Sequence, residues 1–396
     1  MGRLFSASEA EIRDGLTADV YFPRTKRILE ERGHASTEVW AEFTAGGLPR
    51  GWPWAVFCGL EEVVRLLEGM PVDLYAVPEG TVFRPRSRNS VRVPVANIHG
   101  RYAQFGVAET SILGMLCQPT GVATAAARTK LAARGKNVTA FGNRRMHPAI
   151  SGVLDRSAFI GGCDAVSSRI GGDFVGVEPL GTTPHALMLI MGDNRSAFRA
   201  FDEIIEPEVP RIMLIDTFSD ERDGVMDAVR AVGDLRGVRL DTPSSRRGNF
   251  KELIDEIRWE LDMNGHGHVG IMVSGGLDER SVADLAGTCV TGFGVGTSIS
   301  NAPTVDFSMD IVERDGAAIS KRGKFGGRKH PYRCPECFEA DVSLEPDAEI
   351  ACPCGAAMEP MERQVLRAGK RVLPKTPETE IRAYVLSQLG RLQDLL

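Results

Sequence analysis

Several features are scarce or missing in this sequence of 396 residues. No apolar run approaches the ~18 residues that a membrane-spanning helix needs. The start of the chain lacks the basic and then apolar order of a signal peptide. Basic residues are outnumbered, giving a net charge of -6, whereas phosphate-backbone binding needs a broad basic surface. We therefore expect a cytoplasmic protein with neither a membrane nor a nucleic-acid partner.

Cysteines are present but unevenly placed. Four of the eight lie scattered in apolar or glycine-rich stretches, which favours a reducing compartment. The motif CPEC supplies Cys334 and Cys337, and CPC supplies Cys352 and Cys354, followed by Gly355. Four thiolates from two tight turns predict a structural zinc site whose closed shell leaves no position for substrate. Two disulfides or free thiols are the alternatives.

Strand-like and helix-like segments alternate between residues 120 and 300. The predicted strands are 137–141, 211–216, 237–241, 269–273 and 289–292. The predicted helices are 121–134, 148–160, 220–232, 250–263 and 278–286. Such alternation predicts an α/β fold, an irregular β/α barrel, with an open doubly wound sheet as the alternative.

The regions before residue 120 and after residue 300 do not show this regular alternation of strands and helices. Before the alternation, helix-like stretches at 25–32 and 60–68 mix with β-like pieces at 72–77, 81–85 and 90–95, as in an α+β domain. A further strand is predicted at 305–313. We expect four parts, which are an N-terminal α+β domain over 1–118, an α/β barrel over 119–302, a return segment over 303–330 and a small zinc-binding domain over 331–396.

Two consecutive strand–glycine-loop–helix units suggest an anion pocket. Gly275 and Gly276 follow one predicted strand, and Gly294, Gly296 and Thr297 follow the next. Backbone N–H groups in such loops attract oxyanions, and glycine loops after the last two strands of a β/α barrel commonly bind phosphate. Either loop alone is more often structural.

Charged and aromatic residues stand at other strand ends. Arg239 and Asp241 lie on one face of a strand, where they could bind an anion and a metal ion or ribose; a solvated ion pair is the alternative. Phe141, Arg144 and Arg145 could hold a flat ring beside a phosphate, or be a core Phe with two surface arginines.

His185 follows the segment Gly181–Thr182 and opens an apolar helix, HALMLIMG. A lone histidine at a helix start is more often structural than catalytic. Its place among the other motifs is what draws attention to it.

In this order, the motifs resemble the nicotinate phosphoribosyltransferase family in its shorter archaeal form, which has a cysteine-rich metal domain. The resemblance spans nearly the whole chain. It rests on seven motifs, which are DVY at 19–21, FGNRR at 141–145, GGCDAVSS at 161–168, GTTPH at 181–185, RLD at 239–241, SGG at 274–276 and FGVGT at 293–297.

The resemblance implies nicotinate, 5-phosphoribosyl diphosphate and ATP as substrates, Mg²⁺ as cofactor, and homodimers with shared sites or a higher oligomer. Tyr21 would reach a neighbouring subunit's site and stack on nicotinate opposite Phe141. Thr182 and Arg239 would contact the base, and His185 would be phosphorylated by ATP. The remaining implied substrate contacts are Arg144, Arg145, Ser167, Ser168, Gly275, Gly276, Gly294, Gly296 and Thr297.

Two positions qualify the resemblance. The family usually continues after the Asp241 equivalent with Ser-Gly-Asp, whereas this chain has Thr242-Pro243-Ser244. Related enzymes that use nicotinamide carry a carboxylate at the position that Ser168 matches, so a neutral serine favours nicotinate, the acid, over nicotinamide. The alternatives are transfer to nicotinamide, quinolinate or another aromatic acid, or a zinc-domain binding module with an inactive barrel.

Overall fold

The computed structural model describes residues 4–395. Its helices are α1 (Glu9–Arg13), α2 (Tyr21–Glu31), α3 (Leu60–Leu67), α4 (Tyr102–Phe105), α5 (Glu109–Ala132), α6 (Ser151–Ile160), α7 (Arg169–Val175), α8 (His185–Met191), α9 (Asn194–Ile204), α10 (Glu221–Ala231), α11 (Phe250–Met263), α12 (Glu279–Leu285), α13 (Thr297–Ser300) and α14 (Glu378–Leu395). Its strands are β1 (Glu38–Ala45), β2 (Ala55–Val56), β3 (Asp73–Ala76), β4 (Val82–Phe83), β5 (Pro94–Arg101), β6 (Asn137–Ala140), β7 (Arg211–Leu214), β8 (Leu235–Leu240), β9 (Gly270–Val273), β10 (Gly292–Val295), β11 (Phe307–Arg314), β12 (Ala317–Ala318), β13 (His330–Arg333), β14 (Ala340–Ser343), β15 (Glu359–Pro360), β16 (Arg363–Arg367) and β17 (Lys370–Arg371).

The chain forms two compact units. The first combines Met1–Thr124 with Pro303–Leu396, and the second is the continuous stretch Ala125–Ala302. No helix in the described part of the chain is both long enough and apolar enough to cross a membrane.

The first unit is built on a seven-stranded antiparallel sheet in the order β12-β11-β1-β5-β3-β16-β17. The side chains of β1 alternate at its start, with Val39 and Ala41 buried, and the strand becomes buried throughout from Ala41 to Ala45. Helix α3 packs its apolar face into the same core, because Val63, Val64 and Leu67 are buried within it. A separate three-stranded sheet, β14-β13-β15, carries the cysteine region.

The second unit contains a five-stranded parallel sheet in the order β6-β10-β9-β8-β7. Its strands are mostly buried, as expected when helices cover a parallel sheet. The predicted α/β class with a parallel sheet is therefore confirmed.

Strand pairing among the described residues does not close this sheet into a continuous ring. The opening between β6 and β7 is crossed by isolated contacts. Thr139 bridges Ala165, Leu180 N–H donates to Val166 O at 2.8 Å, and Leu214 N–H donates to Thr183 Oγ1 at 2.8 Å. The barrel in the sequence prediction thus remains a prediction.

Three predicted elements are wrong in position. The strand expected at 289–292 is β10, three residues later, and the strand expected at 90–95 is β5, which begins at Pro94. Ser90 instead lies in a turn with a positive φ of 62°. Helix α5 begins at Glu109, twelve residues before its predicted start, and continues through Pro119.

Candidate active site

The carboxyl ends of the parallel strands in the second unit share one edge, where sites form in such folds. Phe141 follows β6, Asp216 lies just beyond β7, and Asp241 follows β8. Ser274 and Gly296 follow β9 and β10. The sequence therefore brings its strand-end polar residues to a common edge.

Arg239 is the centre of the contacts on this edge. Its guanidinium donates to Thr182 Oγ1 at 2.5 Å and to Asp241 Oδ2 at 3.2 Å. The guanidinium carbon also lies 5.6 Å from the Phe141 ring centroid. The Arg239 side chain is 15% exposed, so the ion pair with Asp241 is not the solvated surface pair that the alternative interpretation required.

His185 is the first residue of α8, as the sequence indicated. Thr183, which is fully buried, anchors the preceding segment to β7 through its bond from Leu214 N–H. The ring then lies with Nδ1 3.0 Å from Thr217 Oγ1 and Nε2 3.7 Å from Asp241 Oδ2. The histidine is thereby fixed beside the Arg239–Asp241 pair.

Asp216 is a site residue that the sequence reasoning missed. Both carboxylate oxygens are buried, and no side chain in the described part of the chain donates a hydrogen bond to them; the nearby N–H groups are those of the Asp216 and Asp241 backbone. Burial raises the pKa of this carboxyl; the His185 charge opposes the rise, and the Asp241 charge adds to it. Its position at the end of the run RIMLID was the available signal, because that end meets the other strand ends.

The first glycine loop leaves several N–H groups free. Ser274 Oγ donates to Asp241 Oδ1 at 2.8 Å, and Gly275 and Gly276 have φ values of 88° and 68°. The N–H groups of Gly275, Gly276 and Leu277 donate to no acceptor within residues 4–395. Consecutive free N–H groups of this kind attract an oxyanion.

The start of α12, by contrast, is capped by side chains of the helix itself. Asp278 is the N-cap of this helix and accepts from Ser281 N–H at 2.9 Å, while Ser281 Oγ accepts from Asp278 N–H at 2.8 Å. The helix therefore supplies its own carboxylate. The backbone N–H of Ser281 accordingly lowers the pKa of Asp278.

The second glycine loop also differs from its prediction. Gly294 lies inside β10, not after it, and a Cβ at this position would lie 2.5 Å from the Phe141 ring. Its function in packing is to leave room for that ring. Gly296 and Thr297 do follow the strand, and their N–H groups have no acceptor among the described residues.

Arg144 and Arg145 lie in a 3-10 turn directly after Phe141 and Gly142. Both are exposed, and neither side chain has an ion-pair or hydrogen-bond partner in the part of the chain that the structure describes. Two cations without a side-chain partner in the described residues therefore follow Phe141 in the chain.

Ser167 and Ser168 belong to a network around Asp155, a second buried residue that the sequence reasoning did not single out. Asp155 Oδ2 accepts from Ser168 Oγ at 2.5 Å and from Asn143 Nδ2 at 2.7 Å, and Asn143 Nδ2 also approaches Ser167 Oγ at 3.4 Å. Burial raises the pKa of Asp155. Because Ser168 donates its proton here and caps α7, it has no free hydroxyl proton for a substrate.

Tyr21 lies in the first unit, at the start of α2, and is 56% exposed. Its hydroxyl donates to Asp19 Oδ2 at 3.3 Å, and Asp19 N–H donates to Thr110 Oγ1 at 3.0 Å. These contacts fix the backbone of the short DVY segment while the aromatic ring stays accessible.

The four clustered cysteines meet as predicted. Their sulfur atoms all lie within 4.8 Å of one another, with Cys334 Sγ 3.4 Å from Cys354 Sγ and Cys337 Sγ 3.4 Å from Cys352 Sγ. Tetrahedral zinc with Zn–S distances of about 2.3 Å fits this spacing. Burial opposes ionisation of Cys334, yet the N–H groups of Cys337 and Glu336 lower its pKa to about 7. Gly355 has the positive φ, 94°, that the second turn needs.

The cysteine cluster is tied to the rest of the first unit by charged groups. Arg84 pairs with Glu339 at 2.7 Å, and Arg88 pairs with Asp341 at 2.5 Å. Arg333 donates to Val82 O at 2.7 Å. The cysteine region is thus anchored within its own unit.

Comparisons with known proteins relate this chain to phosphoribosyltransferases. Residues 19–120 match the family described as quinolinate phosphoribosyl transferase, N-terminal domain, and residues 122–310 match quinolinate phosphoribosyl transferase, C-terminal domain. Nicotinate phosphoribosyltransferase pncB1 of Mycobacterium tuberculosis is 32% identical over 338 residues, covering 76% of this chain and 72% of the relative. The chain belongs to the nicotinate phosphoribosyltransferase family.

Solved structures of similar fold support this membership. The nicotinate-nucleotide pyrophosphorylase from Pyrococcus furiosus is 49% identical with a TM-score of 0.93, covering 99% of both chains. Human nicotinic acid phosphoribosyltransferase shares the fold at 20% identity with a TM-score of 0.74, covering 94% of this chain and 93% of the human one. As a member of the nicotinate phosphoribosyltransferase family, the chain carries the strand-edge cluster within the fold of these relatives.

Proposed function

We propose that this protein transfers the 5-phosphoribosyl group of 5-phosphoribosyl diphosphate to nicotinate, forming nicotinate mononucleotide and pyrophosphate in NAD biosynthesis. The observation that carries the proposal is the Arg239 junction. One partly buried cation meets an aromatic ring, a hydroxyl and a carboxylate on the same edge as the free glycine-loop N–H groups. A flat acid and a phosphorylated sugar both find matching groups there.

The base site is formed by Phe141 and Arg239. Two of the guanidinium's five N–H donors are used by Thr182 and Asp241, and its Nε has no partner among the described residues. The remaining donors can bind the nicotinate carboxylate, a charge-assisted contact that an amide would not offer. Tyr21 of a second copy would cover the other face of the ring, so we propose a homodimer with shared sites.

The donor's phosphates find cationic and N–H partners on this edge. The free N–H groups of Gly275, Gly276, Gly296 and Thr297 can hold one phosphate, and the free guanidinium groups of Arg144 and Arg145 can neutralise the diphosphate. The acidic chain therefore concentrates its anion-binding groups in one place.

The residues present also fit a divalent cation. Asp216 has two buried oxygens without a side-chain donor among the described residues, and Asp241 lies close enough for its charge to raise the pKa of Asp216. Mg²⁺ prefers carboxylate and phosphate oxygens, so these two side chains are the ones that would hold it. When bound, Mg²⁺ supplies charge neutralisation of the leaving diphosphate.

The reaction needs no nucleophilic side chain. The lone pair of the nicotinate ring nitrogen forms a bond to the anomeric carbon while the bond from that carbon to the diphosphate oxygen breaks and its electrons leave with pyrophosphate. No proton moves in this step. The side chains around Arg239 position the two anionic reactants and stabilise the departing charge.

His185 would couple the reaction to ATP. Thr217 Oγ1 holds Nδ1, so the Nε2 lone pair can form the bond to the γ-phosphorus of ATP as the bond to the β-phosphate oxygen breaks and ADP leaves. Water later hydrolyses the phosphohistidine. Asp241 lies 3.7 Å from Nε2 and also accepts a hydrogen bond from Arg239, so the same carboxylate is close to both His185 and Arg239.

Quinolinate is the second candidate base. The family matches carry that name, and the Pyrococcus furiosus structure is described as a nicotinate-nucleotide pyrophosphorylase. Arg144 and Arg145 could receive its second carboxylate. An inactive binding module is disfavoured, because the edge retains an unpaired carboxylate and free N–H groups that serve no packing purpose.

A product assay with purified protein separates these possibilities. Nicotinate, nicotinamide and quinolinate are each incubated with 5-phosphoribosyl diphosphate and Mg²⁺, with and without ATP. We expect nicotinate mononucleotide and pyrophosphate from nicotinate, with stimulation by ATP that His185→Ala abolishes. Release of carbon dioxide from quinolinate without nicotinate turnover would replace the proposed base with quinolinate.

A further inference from the structure

Three residues beyond Thr242-Pro243-Ser244, the segment that departs from the family pattern, lies an arginine that contacts the first glycine loop. Arg247 lies six residues beyond Asp241, and its Nε donates to Thr242 O at 2.7 Å. One terminal nitrogen donates to Ser274 O at 3.1 Å and also to Gly275 O. The guanidinium carbon lies 4.8 Å from the Phe250 ring centroid. A single side chain therefore connects the loop after β8 to the loop after β9.

Both ends of this connection are fixed. Thr242 is buried and donates from Oγ1 to Glu221 Oε1 at 2.6 Å. Ser274 N–H donates to Leu240 O at 2.8 Å, and its hydroxyl holds Asp241. Between Gly275 and Leu277, the described residues make one other bond to the backbone, from Ser298 Oγ to Leu277 O at 2.8 Å, and it leaves the Gly275 and Gly276 peptides unfixed.

The two bonds that Ser274 O and Gly275 O accept from Arg247 determine the direction in which the loop N–H groups point. In a trans peptide the C=O and the following N–H point in opposite directions. Since the carbonyls of Ser274 and Gly275 face Arg247, the N–H groups of Gly275 and Gly276 face away from it. This is the orientation that an oxyanion requires.

Without such a contact, the loop would have little to hold that orientation. Gly275 and Gly276 have positive φ values, and glycine visits positive and negative φ almost equally well. Either peptide could therefore rotate and present a carbonyl oxygen to the phosphate. The space is also limited, because a Cβ on Gly275 would lie 2.9 Å from both Arg247 and Asp241.

We propose that Arg247 is a positioning residue that holds the Gly275 and Gly276 N–H groups in their phosphate-binding orientation. It acts through the loop and does not contact the reacting atoms. This inference rests on the proposed function for its ligand, the phosphate of 5-phosphoribosyl diphosphate.

The test compares Arg247→Met with Arg247→Lys and with Arg246→Met, a matched change at an exposed neighbour in the same loop. Loss of a charge-assisted bond of this kind predicts a roughly tenfold higher KM for 5-phosphoribosyl diphosphate in Arg247→Met. The KM for nicotinate should change less than about twofold, because the base site is untouched. Lysine keeps the charge without the fork and should give an intermediate KM, whereas Arg246→Met should match the wild type.

A second measurement does not depend on turnover. Hydrogen exchange of the peptide spanning 272–279 is followed with and without inorganic pyrophosphate. We expect pyrophosphate to slow exchange in the wild type and in Arg246→Met but not in Arg247→Met. A wild type that turns over, together with an Arg247→Met variant of unchanged KM and unchanged protection, overturns the positioning function. If the wild type shows no transfer, the proposed function fails, and the exchange experiment alone decides the question of Arg247.

Discussion

The strand-end edge of the second unit and the cysteine cluster of the first unit are both dense in ionisable groups, but they differ in whether these groups face one another. The four thiols face one another, and a bound metal would complete their coordination. The strand-end edge instead retains buried carboxylate oxygens on Asp216, an unpaired Nε on Arg239 and free loop N–H groups in the described residues. Unsatisfied buried polar groups cost stability, so those of Asp216 and Arg239 beside the free loop N–H groups point to ligand binding, whereas a closed shell points to stabilisation.

The sharpest test of this contrast is Asp216→Asn. We expect about a hundredfold loss of kcat/KM, roughly 3 kcal/mol, and a higher Mg²⁺ requirement, because an anionic ligand becomes neutral. The melting temperature should not fall, since the variant removes a buried charge without a partner. Asp234→Asn, at an exposed carboxylate, is the control. A destabilised variant with full activity would assign Asp216 to the structure instead.

Removing the cation at the centre of the edge should have the next largest effect. For Arg239→Ala we expect a loss of about 2 kcal/mol in transition-state binding, or roughly thirtyfold in kcat/KM. Arg236→Ala changes the same strand at a side chain that is 64% exposed and should behave like the wild type. Equal efficiencies for the two variants would place Arg239 outside the site.

The opposite behaviour is expected at the cysteine cluster. Cys337→Ser should lower the zinc content and reduce the melting temperature by about 5 °C or more, because metal binding supplies folding free energy. At 25 °C, where the variant remains folded, kcat/KM should stay within about threefold of the wild type. Cys289→Ser, outside the cluster, controls for the thiol change. A selective loss of activity without loss of stability would contradict a structural metal.

Glu109 allows a finer comparison, because it is a half-buried carboxyl in the first unit. Burial, followed by the charge of Asp310, raises its pKa from 4.5 to about 7. The folded state therefore holds the proton more tightly than the unfolded state, and stability falls as pH rises from about 4.5 through about 7. Glu109→Gln should remove this decline, raising the melting temperature by about 2 °C at pH 8 but little at pH 4, with Glu30→Gln as control. An equal effect at both pH values would show that the proton is not responsible.

Much of the fold was accessible from local sequence patterns. Helix α11 has the bounds predicted from its periodicity, and β6 to β9 were located within a few residues. The start of α5 was missed because Pro119 suggests a helix boundary, although the helix runs through it. The glycines of β10 suggested a loop, but Gly294 leaves room for the Phe141 ring. That ring follows β6, so this packing cannot be inferred from the sequence around Gly294.

Some residues of the candidate site could likewise be identified from the sequence, whereas others depend on packing. Residues at strand ends, such as Arg239 and Asp241, could be singled out because parallel strands bring their ends together, and His185 could be singled out as the first residue of a helix. Asp216 was seen only as the end of a strand, since its lack of a partner depends on the surrounding packing. The contact of Arg247 with the first glycine loop could not be predicted, because the two carbonyl acceptors in that loop lie 27 and 28 residues away in the sequence.

The split of the first unit along the chain has a consequence for biosynthesis. The second unit is the continuous stretch Ala125–Ala302. In the first unit, β1 pairs with β11 and β3 pairs with β16, and both β11 and β16 follow the second unit in the chain. During translation the ribosome therefore releases every strand of the parallel sheet before the antiparallel sheet is complete. The middle of the polypeptide can finish folding first, while the N-terminal strands await their late-emerging partners.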